Sequence, residues 1–303
     1  MKAVIKFSDY LRQTFGERVQ RVSIHGGMTC PNRDGTTGEG GCIYCDNGSF
    51  HMGHGDAVTV AEQMERGREW AARRYKVRKF IAYFQTFSNT YAPVEELRQL
   101  YTEATTFDDV VGLMVGTRPD CLDGEKIALL AEFNERITTW VELGLQTSHD
   151  RTLKLINRGH DRATSEEATR ELVAAGIPVA AHAILGLPGE SEADMLATAD
   201  WFRELGVQGV KLHHLHAVKG TPMETMLNNG QWSPPAVDTY VGWASRFMAG
   251  LPAGTVMMRL VGDCPDELLL APRWKEKKSD IQGRIWDAYH RIMESKSQGK
   301  EAD

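Results

Sequence analysis

The sequence is short of several things, and each shortage excludes something. Only 5 of its 303 residues are cysteine. A small odd number cannot be a complete set of intramolecular disulfides. A chain this long also buries enough core to need no disulfide scaffold. No apolar run approaches the roughly 18 to 20 residues of a membrane span. Low-complexity segments, internal repeats and Pro/Ser-rich linkers are missing, which excludes a fibrous or disordered chain. Basic charge is not in excess, because 35 Lys and Arg face 41 Asp and Glu for a net charge of −6. Proteins that coat nucleic acid non-specifically are usually basic, so any such contact here must be local. The opening 20 residues carry charges throughout and lack the apolar stretch of a secretory signal. The expected location is therefore cytoplasmic, with no membrane partner. In that compartment thiols stay reduced, and clustered cysteines more often mean metal or redox chemistry.

What is present is ordinary for a globular chain: 42% hydrophobic and 25% charged residues. Length alone allows two domains or one α/β barrel. Short apolar, β-branched runs alternate with helical patterns. Strands are predicted at 21–25, 80–84, 110–115, 138–143, 179–185, 209–213 and 256–260. Helices are predicted at 58–75, 94–105, 124–133, 151–155, 165–175, 191–205, 235–248 and 280–293. Thr164 and Ser191 stand where N-caps belong, and Gly176 and Gly206 where helices stop. This alternation implies βαβ units and a parallel α/β sheet, wound in one direction into an open or closed barrel. A barrel over 21–260 would carry an N-terminal extension, 1–20, and a C-terminal one, 261–303.

In such a sheet, reactive residues belong on loops at the carboxyl ends of strands. The unusual polar clusters fall there. They run from His25 to Cys45, from Gln85 to Tyr91, from Gly116 to Cys121, at Gln146, from Gly186 to Glu190, and from Lys211 to Lys219.

The strongest pattern is Cys30-x11-Cys42-x2-Cys45, in a loop rich in glycine. A C-x2-C pair lets two thiolates converge, and the glycines let the third fold back to meet them. Three thiolates on a four-iron cluster leave one iron open. Structural zinc is the competing reading, since His51 or His54 could complete a Cys3His set. Spacing does not choose between them.

The block HGG-x2-CPNRDG-x4-GGC-x2-C, from His25 to Cys45, resembles that of the radical S-adenosylmethionine (SAM) superfamily. It is most similar to the YhcC/YtqA-type proteins of the branch containing the Elongator catalytic subunit. Further motifs in family order support this: YFQ at 83–85, GTRPDC at 116–121, ELGLQT at 142–147, INRGHD at 156–161, GLPGE at 186–190 and KLHHLH at 211–216. The resemblance implies a partial (β/α)6 TIM-type barrel. It implies that Cys30, Cys42 and Cys45 ligate a [4Fe–4S] cluster whose open iron takes SAM. Such enzymes cleave SAM to methionine and a 5′-deoxyadenosyl radical that abstracts a substrate hydrogen. They draw the electron from a reductant such as flavodoxin or ferredoxin.

Other positions follow from the same resemblance. Tyr44 would lie near the adenine, with packing under the loop as the alternative. The Gln85 amide, or a carbonyl beside it, would receive the SAM ammonium, with Ser88, Asn89 and Thr90 in the same turn. Thr117 lies in the TRPD motif, where the branch commonly has glutamate at the position of Gly116; Arg118 and Asp120 could form a buried ion pair. Gln146 and Arg158 match SAM-contacting positions, and an arginine can grip a carboxylate with paired donors. His182 replaces an acidic SAM ligand of relatives. Lys211 and His213 share a face with Leu215 at period two, toward the barrel mouth. Cys121 and Cys264 read as small buried hydrophobes.

Two basic stretches remain, Arg66 to Lys79 and Arg273 to Arg284. Phosphates would favour both, and Trp274 could stack on a base. Solvated helix faces are the alternative. With the branch's link to wobble uridine, these make tRNA the expected substrate. A small metabolite, or a zinc-stabilised RNA-binding role without catalysis, is the rival.

Overall fold

A computed structural model describes residues 3–46 and 58–298. Ten strands, ten α-helices and one short 3-10 turn (Pro119–Cys121) are described. They run β1 (Ile5–Lys6), α1 (Phe7–Phe15), β2 (Val19–Ile24), α2 (Val60–Tyr75), β3 (Lys79–Phe84), α3 (Val94–Thr105) and β4 (Val110–Thr117). Then come α4 (Gly124–Arg136), β5 (Thr138–Gln146), α5 (Asp150–Leu155), α6 (Arg162–Ala174), β6 (Val179–Leu185), α7 (Glu192–Leu205) and β7 (Gly209–His214). The chain continues through β8 (Ala217–Val218), α8 (Pro222–Asn228), α9 (Val237–Gly250), β9 (Val256–Arg259), β10 (Leu269–Ala271) and α10 (Lys278–Ser297).

Eight strands form one curled parallel sheet in the order β1-β9-β7-β6-β5-β4-β3-β2. This is the partial TIM-type barrel that the family resemblance implied, where the alternation alone allowed an open or closed barrel. Parallel strands covered on both faces read as near-continuous apolar runs, as Phe80–Phe84 and Val179–Leu185 do. Helices cover the outer face in one large core. The lumen face is different. Toward the amino ends of the strands, Ile81, Met114, Trp140, Ala180 and Met258 form an apolar floor. Helix α1 caps it with Leu11, and its Tyr10 ring meets Trp140 edge-on at 5.5 Å. α1 also links β1 and β2, the two edges of the sheet, so it spans the gap in the barrel. The opening therefore lies at the carboxyl ends.

The structure shifts some expected boundaries. Helix α6 begins at Arg162, and Asp161 caps it by accepting the Thr164 amide. Thr164 is thus inside the helix, because the earlier aspartate competes better for the free N–H groups. Ser191 caps α7 in a full capping box with Asp194, as expected. Strands β4 and β5 run on to Thr117 and Gln146, which carries their polar ends into the mouth.

Candidate active site

The loop after β2 folds on local turns. Arg33 N and Asp34 N both bond to Cys30 O, at 2.8 and 3.2 Å, and Cys45 N bonds to Cys42 O at 2.9 Å. Gly40 and Gly41 take φ of 75° and 79°, a conformation open mainly to glycine, and so turn the chain back toward Cys30. The short turn after α5 clamps this loop. Asn157 Nδ2 donates to Gly41 O at 2.8 Å, and Ile43 N donates to Ile156 O at 3.1 Å. Asn32, fully buried, donates to Asn157 O at 2.6 Å.

One cavity at the carboxyl ends of the strands is lined by all three cysteines. Tyr44, Gln85, Thr117, Gln146, Arg158, His182, Lys211 and His213 line it too. The fold thus brings every candidate ligand to one place from six strand ends. Their individual environments differ. Burial pushes the Cys42 thiol up, but the Arg158 guanidinium, 3.4 Å from Sγ, more than reverses this. Burial and the neighbouring Cys42 push Cys45 up to about 12. Tyr44 lines the cavity and also packs on the cluster of Leu153, Ile184 and Leu215, the packing role that was one of its two readings. The Thr117 hydroxyl is spent on Ser88 and Thr90, at 3.0 and 2.6 Å. Ser88, Asn89 and Thr90 are fully buried in bonds that fix their loop to β4. A Cβ at Gly116 would lie 3.2 Å from Phe84 O, so a side chain there would press on β3. Arg118 grips Asp120 through Nε and Nη2, at 2.8 and 2.7 Å, the buried ion pair read as one option.

Below the mouth lies a charged layer that sequence reading passed over. Glu142 Oε2 accepts from Tyr83 OH at 2.6 Å, from Lys211 Nζ at 2.6 Å and from His182 Nε2 at 2.8 Å. Burial would raise this carboxyl, and Lys211 and His182 hold it well below its ordinary value. Burial lowers His182 to about 4, so the ring is neutral near pH 7 and donates to the carboxylate. A glutamate alone between Val141 and Leu143 was the available signal. Asn32, inside the CPNRDG motif, was not singled out.

The other expectations divide. Trp274 is partly buried in an aromatic cluster. Its ring lies tilted against His214 at 4.4 Å and Tyr240 at 5.3 Å, and its indole N–H donates to Pro235 O. In the first basic stretch, Arg68 pairs with Asp109, and Arg78 and Lys79 with Glu17. Lys79 opens β3 while Gln85 follows it, so Lys79 sits about 20 Å from the mouth. Cys121 is buried, but Cys264 is only partly so and lines an adjoining cavity with His213 and Asp263. His51 and His54 lie outside the described residues.

Comparison with known proteins identifies the family. The radical SAM superfamily model matches residues 30–202, and a radical SAM C-terminal domain model matches 207–290. The chain belongs to the radical SAM superfamily. Within this superfamily it is of the YhcC/YtqA type, 42% identical to YtqA of Bacillus subtilis over 91% of this chain and 86% of that one. It is 31% identical to a tRNA uridine(34) acetyltransferase of Dehalococcoides mccartyi, over 62% of this chain and 39% of that one. The fold matches the archaeal Elp3 of Methanocaldococcus infernus at TM-score 0.68 and 18% identity, over 91% of this chain and 63% of that one.

A radical SAM protein uses a [4Fe–4S] cluster and SAM, and the residues present fit both. Among the described residues no three His, Cys, Asp or Glu side chains converge closely enough for one ion. All three cysteines line one cavity, and three thiolates are a set that can hold a four-iron cluster with one iron left open. Arg118 Nη1 and Arg158 Nε are buried donors without a protein partner, suited to an anionic group such as a carboxylate.

Proposed function

We propose that the protein is a radical SAM enzyme that modifies a uridine side chain in tRNA, with Cys30, Cys42 and Cys45 holding the cluster. When bound, the cluster supplies the electron that splits SAM and so generates a hydrogen-abstracting radical. The chain's own residues do the rest. Arg118 would receive the methionine carboxylate through its unpartnered Nη1. Gln85 and Gln146 would place their amides on the amino acid and nucleoside ends. α1 and the apolar floor keep bulk water from the lumen from below, which protects a radical there.

The observation that carries the uridine reading is the 31% identity over 191 residues to the tRNA uridine(34) acetyltransferase. The second basic stretch agrees with it, because Lys278 pairs with Asp263 on the wall of the adjoining cavity, beside the mouth. The first basic stretch favours the small-metabolite rival instead, since its end at Lys79 lies far from the mouth. Mass spectra of wobble nucleosides from a deletion strain separate the two. A changed uridine side chain, restored by the wild-type gene and not by a Cys42→Ala copy, is the expected result. An unchanged profile would overturn the tRNA reading.

A further inference from the structure

Arg158 is expected to grip the SAM carboxylate with paired donors, yet its fork is already committed. Nη1 donates to Cys42 Sγ at 3.4 Å, and Nη2 donates to Gly144 O at 2.7 Å. Only Nε is left without a partner. The side chain is 7% exposed, so its charge acts in a poorly solvated place. Two features hold it there. A Cβ on Gly144 would lie 2.6 Å from Nη2 and 2.9 Å from the Gln146 amide nitrogen, so a side chain there must push the guanidinium aside. Asn157, at φ 50°, is pinned to both Gly41 O and Asn32, which fixes the turn that carries Arg158. Asn32 Nδ2 stands a further 3.7 Å from the same sulfur. Cys42 thus faces two N–H groups, one of them cationic.

We infer that Arg158 is a positioning residue for the cluster, which raises the cluster's reduction potential through the Cys42 sulfur. Hydrogen bonds to ligand sulfurs and local net charge are what a protein uses to set an iron–sulfur potential. The sign follows from charge. Reduction adds one electron to the cluster, and a buried cation with an N–H on a ligand sulfur stabilises the more negative state. Reduction is therefore easier with Arg158 in place.

This rests on the three cysteines holding the cluster, and a wild type without iron–sulfur absorbance after anaerobic reconstitution would refute that assignment on its own. The test is an EPR-monitored redox titration of the reconstituted protein without SAM. Arg158→Met removes charge and donor. Gly144→Ala keeps the arginine but displaces it. Arg158→Lys keeps charge but cannot reach both Cys42 and Gly144. SAM affinity is measured separately. The expected result is a midpoint more negative than wild type in all three, largest in Arg158→Met. There, a roughly tenfold loss in the reduction equilibrium corresponds to about 59 mV for one electron. Unchanged midpoints with weakened SAM binding would overturn the inference, for Arg158 would then be a SAM ligand only. Loss of iron from all three variants would also overturn it, for the residue would then serve assembly.

Discussion

Lys211 Nζ stands 2.6 Å from Glu142 Oε2 and 2.5 Å from the Tyr83 hydroxyl, with all three side chains buried beneath the mouth of the barrel. Removing one partner of a buried pair strands the other, which costs about 3–5 kcal/mol. Glu142→Gln is therefore expected to be less stable than wild type, but by less than that amount at pH 7, because Lys211 sheds its proton there once the carboxylate is gone; urea unfolding measures it. The pH dependence has a definite sign. The folded carboxyl titrates well below 4.5, so its stabilisation is present above pH 4.5 and is lost as pH falls through the folded value. Wild type should lose stability on acidification below pH 4.5, and Glu142→Gln should lose less over the same range.

Lys211 shifts the other limb. Burial lowers its amine to about 7 from 10.5, with Glu142 restoring part of the loss. Between these values the unfolded chain binds more protons, so the Lys211 contribution to stability rises with pH. A Lys211→Met variant should show a flatter stability profile from pH 7 to 10.5 than wild type.

Helix α2 packs against β2 at Gly67, where a Cβ would overlap Val22 Cγ1. Two effects compete in Gly67→Ala. Helix propensity favours alanine by about 1 kcal/mol, and overpacking costs about 1–3 kcal/mol. The contact involves a β-branched side chain with little freedom, so overpacking wins. Thermal unfolding should show a lower midpoint, with iron content unchanged.

Trp274 packs against both His214 and Tyr240 in one aromatic cluster, so its removal is expected to act on stability. Trp274→Ala should cost about 3 kcal/mol in urea unfolding, the low end for a large aromatic because the ring is only partly buried.

The residues explain which features were legible in the sequence. The seven long strands were readable because both faces of a parallel sheet are apolar and its helices are amphipathic. β1 was not readable, for it has two residues and its partner in β9 lies some 250 positions away. A strand that short has no periodicity, and only the tertiary fold creates it. The cysteine loop stood out because its residue types are chemically unusual at that spacing. Glu142 did not, since one acid among apolar neighbours shows its role only when Tyr83, His182 and Lys211 arrive from three other strands. The Trp274 environment was illegible for the same reason, because His214 and Tyr240 are remote in sequence. The commitment of the Arg158 fork to Cys42 and Gly144 likewise depends on a turn clamped to a loop more than 100 residues earlier.

The central claim is that Cys42, with Cys30 and Cys45, holds a cluster that cleaves SAM. The direct measurement is anaerobic reconstitution of wild type and Cys42→Ala with iron and sulfide, followed by reduction in the presence of SAM and quantification of 5′-deoxyadenosine. Wild type should show iron–sulfur absorbance and form 5′-deoxyadenosine, while Cys42→Ala, with unchanged circular dichroism, should form none. Bound zinc with no 5′-deoxyadenosine from either protein would contradict it.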